Sequence, residues 1–292
     1  MNRGRFVAAS LGALLVTGRA AASESLHSRV RAIARALPGR LGVYARTMAP
    51  GPPLVAYGAS EHFPTASTIK VLIMATAYAL DEAEPGSLDD RITFYRSELI
   101  GGSDFMADVD DGHVFTVREL IPPMIRVSDN TAANLLIGHL GVGAINAMGR
   151  KAGMERTHLA RKFLDFAAIA HHNDNVSTPA DMGRLLYVIE RGARERTRTI
   201  LSAQHCRAMI AIMLGQTDRD GIPAALPRGT AVANKTGEIE GTRDDVAIVE
   251  PFGDSPFVLA VMTRDAYDYA AAYAAIHAVT RVTYAAAAQT FE

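Results

Sequence analysis

The chain of 292 residues holds a single cysteine, Cys206. An intramolecular disulfide is therefore excluded, and without a CxxC or a second thiol so is a thiolate metal centre. Cys206 reads as a small buried apolar side chain. The nine histidines show no HxxxH or His–Cys spacing, so a metal hydrolase has no motif to rest on. Excess charge is missing too: 30 Lys+Arg against 31 Asp+Glu leaves a formal net charge of −1, with no basic stripe. Electrostatic capture of nucleic acid or of an anionic membrane is not expected. There is no internal repeat, no low-complexity tract and, beyond the N-terminal segment, no long apolar run. Small molecules or a neutral polymer are the expected partners, and no cofactor is called for.

What is present is an ordinary globular composition, 49% hydrophobic and 21% charged, long enough for one large domain or two interleaved ones. Residues 1–22 have the layout of a secretory signal peptide. Arg3 and Arg5 form a positive start, Phe6 to Val16 is apolar but too short to span a bilayer, and Ala20-Ala21-Ala22 offers small residues for cleavage before Ser23. No lipobox cysteine follows. The expectation is a soluble, monomeric, secreted or periplasmic protein without stable membrane insertion.

The period of the hydrophobic pattern changes twice along the chain. Leu26, Val30, Ile33, Ala34 and Leu37 recur at helical spacing until Pro38-Gly39, and two strand-like runs follow, Arg40–Arg46 and Leu54–Tyr57. From Phe63 to Leu214 the pattern is helical. Thr116 and Glu119 form a capping box, Asn130–Leu140 and Ile145–Ala152 each end at a glycine, and Thr178 with Pro179 opens another helix. A further helix starts at Ser202. Then Ala231–Lys235, Asp245–Glu250 and Phe257–Thr263 read as strands, and Tyr267–Ala288 as an Ala-rich helix. The expected fold class is α+β: an antiparallel sheet flanked by terminal helices (23–62 plus 215–292), with an all-helical domain (63–214) inserted into it. A cleft between the two is where a ligand would sit.

Ser67 and Lys70 stand at the head of the apolar run that ends at Leu80. Three residues apart on a helix they share a face, and the serine would meet the positive end of the helix dipole. A lysine partly desolvated by apolar neighbours can take a serine's proton, so the pair reads as nucleophile and base. A serine three before a lysine also arises by chance in a chain of this length. Ser128-Asp129-Asn130, just before a helix, is equally an N-cap triplet, and Lys235-Thr236-Gly237, ending the first C-terminal strand, is equally a turn. It is the three in this order that carry weight.

Together they resemble the class A β-lactamases and, more widely, the penicillin-recognising serine hydrolases. The likeness extends through Asp111-Gly112, Thr116–Leu120 and Ser128–Leu136, and the order of elements agrees over most of the mature chain. The resemblance implies a β-lactamase or D-alanyl-D-alanine-peptidase fold and a serine acyl-enzyme. It implies that Ser67 is acylated, Lys70 helps take its proton, and Ser128 passes a proton to the leaving nitrogen between Lys70 and Lys235. Asn130 would bind the substrate's side-chain amide or shape the site. Lys235 and Thr236 would meet a substrate carboxylate, Gly237 would let the strand edge come close, and the amides of Ser67 and Glu238 would form the oxyanion hole. Arg243 falls near a carboxylate-binding arginine of the family, and equally suits an ion pair with Asp244 or Asp245.

One element of the family pattern is missing. The glutamate that activates the deacylating water, in a Glu-x-x-Leu-Asn context, has no counterpart in Arg161-Lys-Phe-Leu-Asp165-Phe-Ala-Ala-Ile169. Asp165 is the nearest carboxylate, and its spacing from Arg161 also suits an ion pair closing the loop. His171 and His172 are further candidates for a base, or solvent-facing. The leading expectation is a serine β-lactamase acting through Ser67. A related serine hydrolase acting on a D-alanyl peptide or on an ester, and a penicillin-binding protein that deacylates slowly, remain alternatives.

Overall fold

A computed structural model of the chain describes residues 26–194 and 199–290; the stretch 1–22 read as a leader lies outside them. The order of elements is α1 (26–36), β1 (Arg40–Thr47), β2 (Val55–Tyr57), β3 (Phe63–Pro64), α2 (Lys70–Ala83), β4 (Arg91–Thr93), α3 (Asp104–Ala107), β5 (Val114–Thr116), α4 (Val117–Arg126) and α5 (Asn130–Leu140). There follow α6 (Val142–Lys151), α7 (Phe166–Ala170), β6 (Val176–Ser177), α8 (Pro179–Arg194), α9 (Ala203–Leu214), β7 (Val232–Ile239), β8 (Thr242–Val249), β9 (Phe257–Arg264) and α10 (Tyr269–Ala288).

Five strands form one antiparallel sheet in the order β2-β1-β9-β8-β7, so the two ends of the chain meet where β1 pairs with β9. Alternation along the strands feeds two cores, because successive side chains leave a strand on opposite faces. Ala247 and Val249 of β8 and Leu259 and Val261 of β9 pack with Val30, Ile276 and Val279 of the terminal helices. Val246, Ile248, Val258 and Ala260 point the other way, into the core built by α2, α4, α5, α8 and α9. Each fully buried Val, Leu or Ile among them contributes about 1.5–3 kcal/mol. Gly183 of α8 lets that helix approach the sheet: a Cβ there would lie 2.2 Å from Tyr44 Cδ1.

The capping boxes and N-caps act as the sequence indicates. Thr116 Oγ1 accepts from the Glu119 N–H at 3.2 Å, Thr178 Oγ1 from the Asp181 N–H at 3.1 Å, and Ser202 Oγ from the His205 N–H at 3.2 Å. Two expectations change. The stretch 63–214 is not wholly helical, since β3 pairs with β6 and β4 with β5. Runs of two or three residues leave no readable alternation, which is why the pattern hid them. The Lys235–Gly237 triplet does not end its strand either. β7 continues to Ile239, because Ile239 pairs with Thr242 in the hairpin to β8. Among the described residues no single helix is long and apolar enough to cross a membrane.

Candidate active site

β7 is an edge strand of the sheet, and its Lys235–Gly237 segment faces the turn that leads into α2. A Cβ on Gly237 would sit 2.9 Å from Thr65 O, 3.0 Å from Thr68 Cγ2 and 3.2 Å from Ala66 Cβ. Glycine is thus what allows the strand to lie against the nucleophile's turn. Ser67 is inside that turn rather than in the helix, which begins at Lys70; the Lys70 N–H donates to Ser67 O at 3.2 Å. Ala66, just before it, has φ 41°, a left-handed conformation that costs a non-glycine residue about 1–3 kcal/mol. Among the described residues the Ser67 N–H has no acceptor, as an oxyanion-binding amide requires.

Ser128 links the two lysines. It too is left-handed, with φ 58°. Its Oγ lies 3.2 Å from Lys70 Nζ and 3.0 Å from Lys235 Nζ, and its carbonyl accepts from Lys70 at 2.6 Å. Lys70 donates further to Asn130 Oδ1 at 2.7 Å, while the Asn130 amide donates to Gly101 O at 2.9 Å. Asn130 therefore shapes the site by fixing Lys70. Asp129 caps α5, accepting from Ala132 N–H at 2.8 Å, and ties α3 in through Met106 N–H at 3.1 Å. Both lysines are fully buried. Burial first, and the charge of Lys235 second, hold the Lys70 ammonium well below the ordinary lysine range. Burial brings Lys235 down to about 8, against the opposing pull of Asp245, Asp218 and Glu238.

These groups open on a cleft of about 270 Å³ that is lined by Ser67, Ser128, Asn130, Thr236 and the acidic Asp104 and Asp218. Ser67 in this cleft, together with a Ser128 hydroxyl that bridges two lysines of reduced basicity, is suited to nucleophilic acyl transfer.

The model of the β-lactamase enzyme family matches residues 25–287 of the chain. The chain belongs to this family. It is 33% identical over 234 residues to a carbapenem-hydrolysing β-lactamase KPC of Klebsiella oxytoca, covering 77% of this chain and 76% of that protein. Among solved structures it resembles a β-lactamase from Burkholderia phymatum, with TM-score 0.80, 29% identity, and 91% and 99% of the two chains covered. It matches equally well a mutant of PBP-A captured as the acyl-enzyme complex with penicillin G, with TM-score 0.80, 25% identity, and 90% and 96% covered. The enzyme is a serine hydrolase of the class A β-lactamase type.

Two of the sequence-derived assignments find other partners in this enzyme. Asp165 is exposed and caps α7, its Oδ1 accepting from Ala168 N–H at 3.0 Å, so its carboxylate is committed to a helix end. Arg161 closes the loop as anticipated, but onto Asp174, at 2.6 Å, and not onto Asp165. His171 and His172 are both exposed, and His171 Nδ1 lies 2.8 Å from Ala167 O. Arg243 pairs with neither neighbouring aspartate. Its Nε lies 3.6 Å from Glu238 Oε1, its Nη1 donates to Ile239 O and Thr242 O, and its guanidinium stacks 3.7 Å from the Tyr269 ring centroid. Tyr273 OH donates to the same Glu238 oxygen. Arg243 is thus held at the strand edge by an acidic and aromatic cluster.

What the sequence did not reveal is Phe163. Its ring, almost wholly buried, lies 4.4 Å from Lys70 Nζ, and Asn134 holds its backbone at both ends. A signal was there: Asn130 and Asn134 are one turn apart on a single helix face, so a residue that fixes Lys70 has a neighbour pointing the same way.

Proposed function

We propose that the enzyme opens the amide of a β-lactam through an acyl-enzyme on Ser67, with Lys70, Ser128 and Lys235 moving the protons. The observation that carries this reading is the single Ser128 hydroxyl shared by both lysines at the edge of the Ser67 cleft. Lys70, of low basicity, takes the proton as Ser67 Oγ attacks the lactam carbonyl. The N–H groups of Ser67 and Glu238 receive the developing oxyanion, a contribution of about 3–4 kcal/mol per donor in comparable sites. Ser128 then delivers a proton to the leaving nitrogen. Lys235 and Thr236 hold the substrate carboxylate. Arg243, already engaged by Glu238, supports the strand edge and does not reach for substrate.

A D-alanyl peptide offers the same acyl carbon and carboxylate to these groups, and it is the second ligand class that the cleft suits. The arginine-led apolar segment at residues 3–16 supports export, and the chain is expected to act as a monomer.

The test is intact-protein mass spectrometry after brief and long exposure to a penicillin, alongside turnover of a chromogenic cephalosporin. An adduct on wild type that is absent from Ser67→Ala, with repeated cephalosporin turnover, is the expected result. Adduct formation on the Ser67→Ala variant would rule out Ser67 as nucleophile. Turnover of a D-Ala-D-Ala peptide with none of the cephalosporin would favour the second class.

A further inference from the structure

The loop between Arg161 and Asp174 brings an aromatic ring to the buried lysine. Asn134 Nδ2 donates to Phe163 O at 3.1 Å, and its Oδ1 accepts from Phe163 N–H at 2.7 Å. The same helix, α5, holds Lys70 through Asn130. Loop and lysine are therefore registered against one rigid element, and the Phe163 ring packs on Lys70 Nζ at 4.4 Å. No carboxylate forms an ion pair with Lys70 among the described residues.

The charged groups that act on Lys70 are few. From β7 comes Lys235, joined to it through Ser128 Oγ. From the start of α5 comes Asp129, whose two oxygens are already taken by Ala132 and Met106 N–H groups. The loop contributes only Phe163. Asp165, the loop's other candidate, is turned to the N-terminus of α7. On the loop side neither Phe163 nor Asp165 presents a carboxylate to Lys70, so the basic group on that side is an amine.

We propose that Lys70 is the general base of both half-reactions, first for Ser67 Oγ and then for the water that releases the acyl group. The inference rests on the β-lactam reading above. In the second half-reaction the water oxygen bonds to the acyl carbonyl carbon and its proton passes to the neutral Lys70 Nζ. The tetrahedral species then collapses, breaking the bond between that carbon and Ser67 Oγ. Lys70 returns the proton to Oγ, and the carboxylic acid product leaves. The Ser128 hydroxyl serves this cycle because it can accept from the ammonium that each proton transfer leaves on Nζ. Burial and the Lys235 charge favour the neutral form that the step needs.

The experiment follows loss of the penicilloyl adduct from purified, acylated protein between about pH 5 and pH 10. The expected wild-type release rate climbs about tenfold per pH unit on its acid side, as a lysine loses its proton, with no limb in the carboxylate range. Phe163→Glu, which puts a carboxylate on the clamped loop beside Lys70, is expected to release at least about tenfold faster at pH 6 and to acquire an acid limb near the carboxylate range. Phe163→Gln, polar but without a proton to exchange, should not accelerate release. Because Phe163 is buried, both variants are checked for native melting, and the wild-type profile decides the matter without them. A wild-type rate that is flat with pH, or that titrates as a carboxylate, overturns the proposal. Failure of every β-lactam to label Ser67 overturns the β-lactam reading, and the inference with it.

Discussion

Lys70 and Lys235 share one hydroxyl: Ser128 Oγ stands 3.2 Å from the first ammonium and 3.0 Å from the second. Burial lowers the basicity of both lysines, and the charge of Lys235 lowers that of Lys70 further. The left-handed backbone at Ser128 lets its carbonyl turn to Lys70 as well, at 2.6 Å. Ser128→Ala removes the shared partner and the proton route to the leaving nitrogen. Acylation should slow by about 10²–10⁴-fold with the fold retained, as read from the growth of the adduct mass. Acylation within a factor of about two of wild type would place the proton route elsewhere.

Gly237→Ala tests the fit of strand to turn. A Cβ 2.9 Å from Thr65 O meets backbone, which cannot rotate away as a side-chain tip would. The turn carrying Ser67 must then shift by a few tenths of an ångström or more. A kcat/KM drop of about 10-fold or greater is expected, with secondary structure by circular dichroism unaltered.

The loop offers two contrasting variants. Asp165→Asn keeps an equally good cap for α7 and should change both melting temperature and acyl release by little, because asparagine and aspartate cap alike. A large fall in release would return Asp165 to the chemistry. Arg161→Ala deletes the ion pair with Asp174 and the bond to Lys162 O. With Arg161 only 9% exposed against 32% for Asp174, the loss should be about 2 kcal/mol, between the usual surface and buried pairs. Hydrogen exchange should quicken first in residues 161–175.

Two adjacent aspartates on β8 make stability depend on pH. Asp244 is buried with Oδ2 unpartnered among the described residues, and burial pushes its carboxyl well above the usual range. Asp245, buried and bonded by Ile222 N–H and Asn234, is pushed up to about 7 by burial, and Asp218 adds to the rise. Above the unfolded value of about 4 the unfolded chain has lost these protons while the native state keeps them, so unfolding releases protons. Stability should therefore be complete below about pH 4 as far as these groups are concerned, and fall as pH rises toward about 7. Asp244→Asn imitates the protonated acid at every pH. It should flatten that decline and add about 1–3 kcal/mol at pH 8, the usual cost of a buried polar atom without a partner. Thermal melts of both proteins between pH 5 and pH 8 read the difference; parallel curves would show Asp244 ionised in the fold.

Much of this enzyme is written locally. The short apolar runs in Asp245–Glu250 and Phe257–Thr263, the capping box at Thr116 and the Thr178-Pro179 start depend on neighbours within a turn or a strand, and such signals survive in a bare sequence. The order of Ser67-Lys70, Ser128-Asn130 and Lys235-Gly237 is equally a property of the string, and it carries the family resemblance without any distance. Tertiary structure decided which charged side chains pair. Arg161 chose Asp174 over Asp165, Arg243 chose Glu238 over its aspartate neighbours, and Asp165 went to a helix end. Phe163 met Lys70 only because Asn134, on another element, fixed the loop's backbone. Sequence spacing lists the groups that can pair, but burial and the rigid placement of α5 determine which pairing is reached, and with it how an acyl group leaves Ser67.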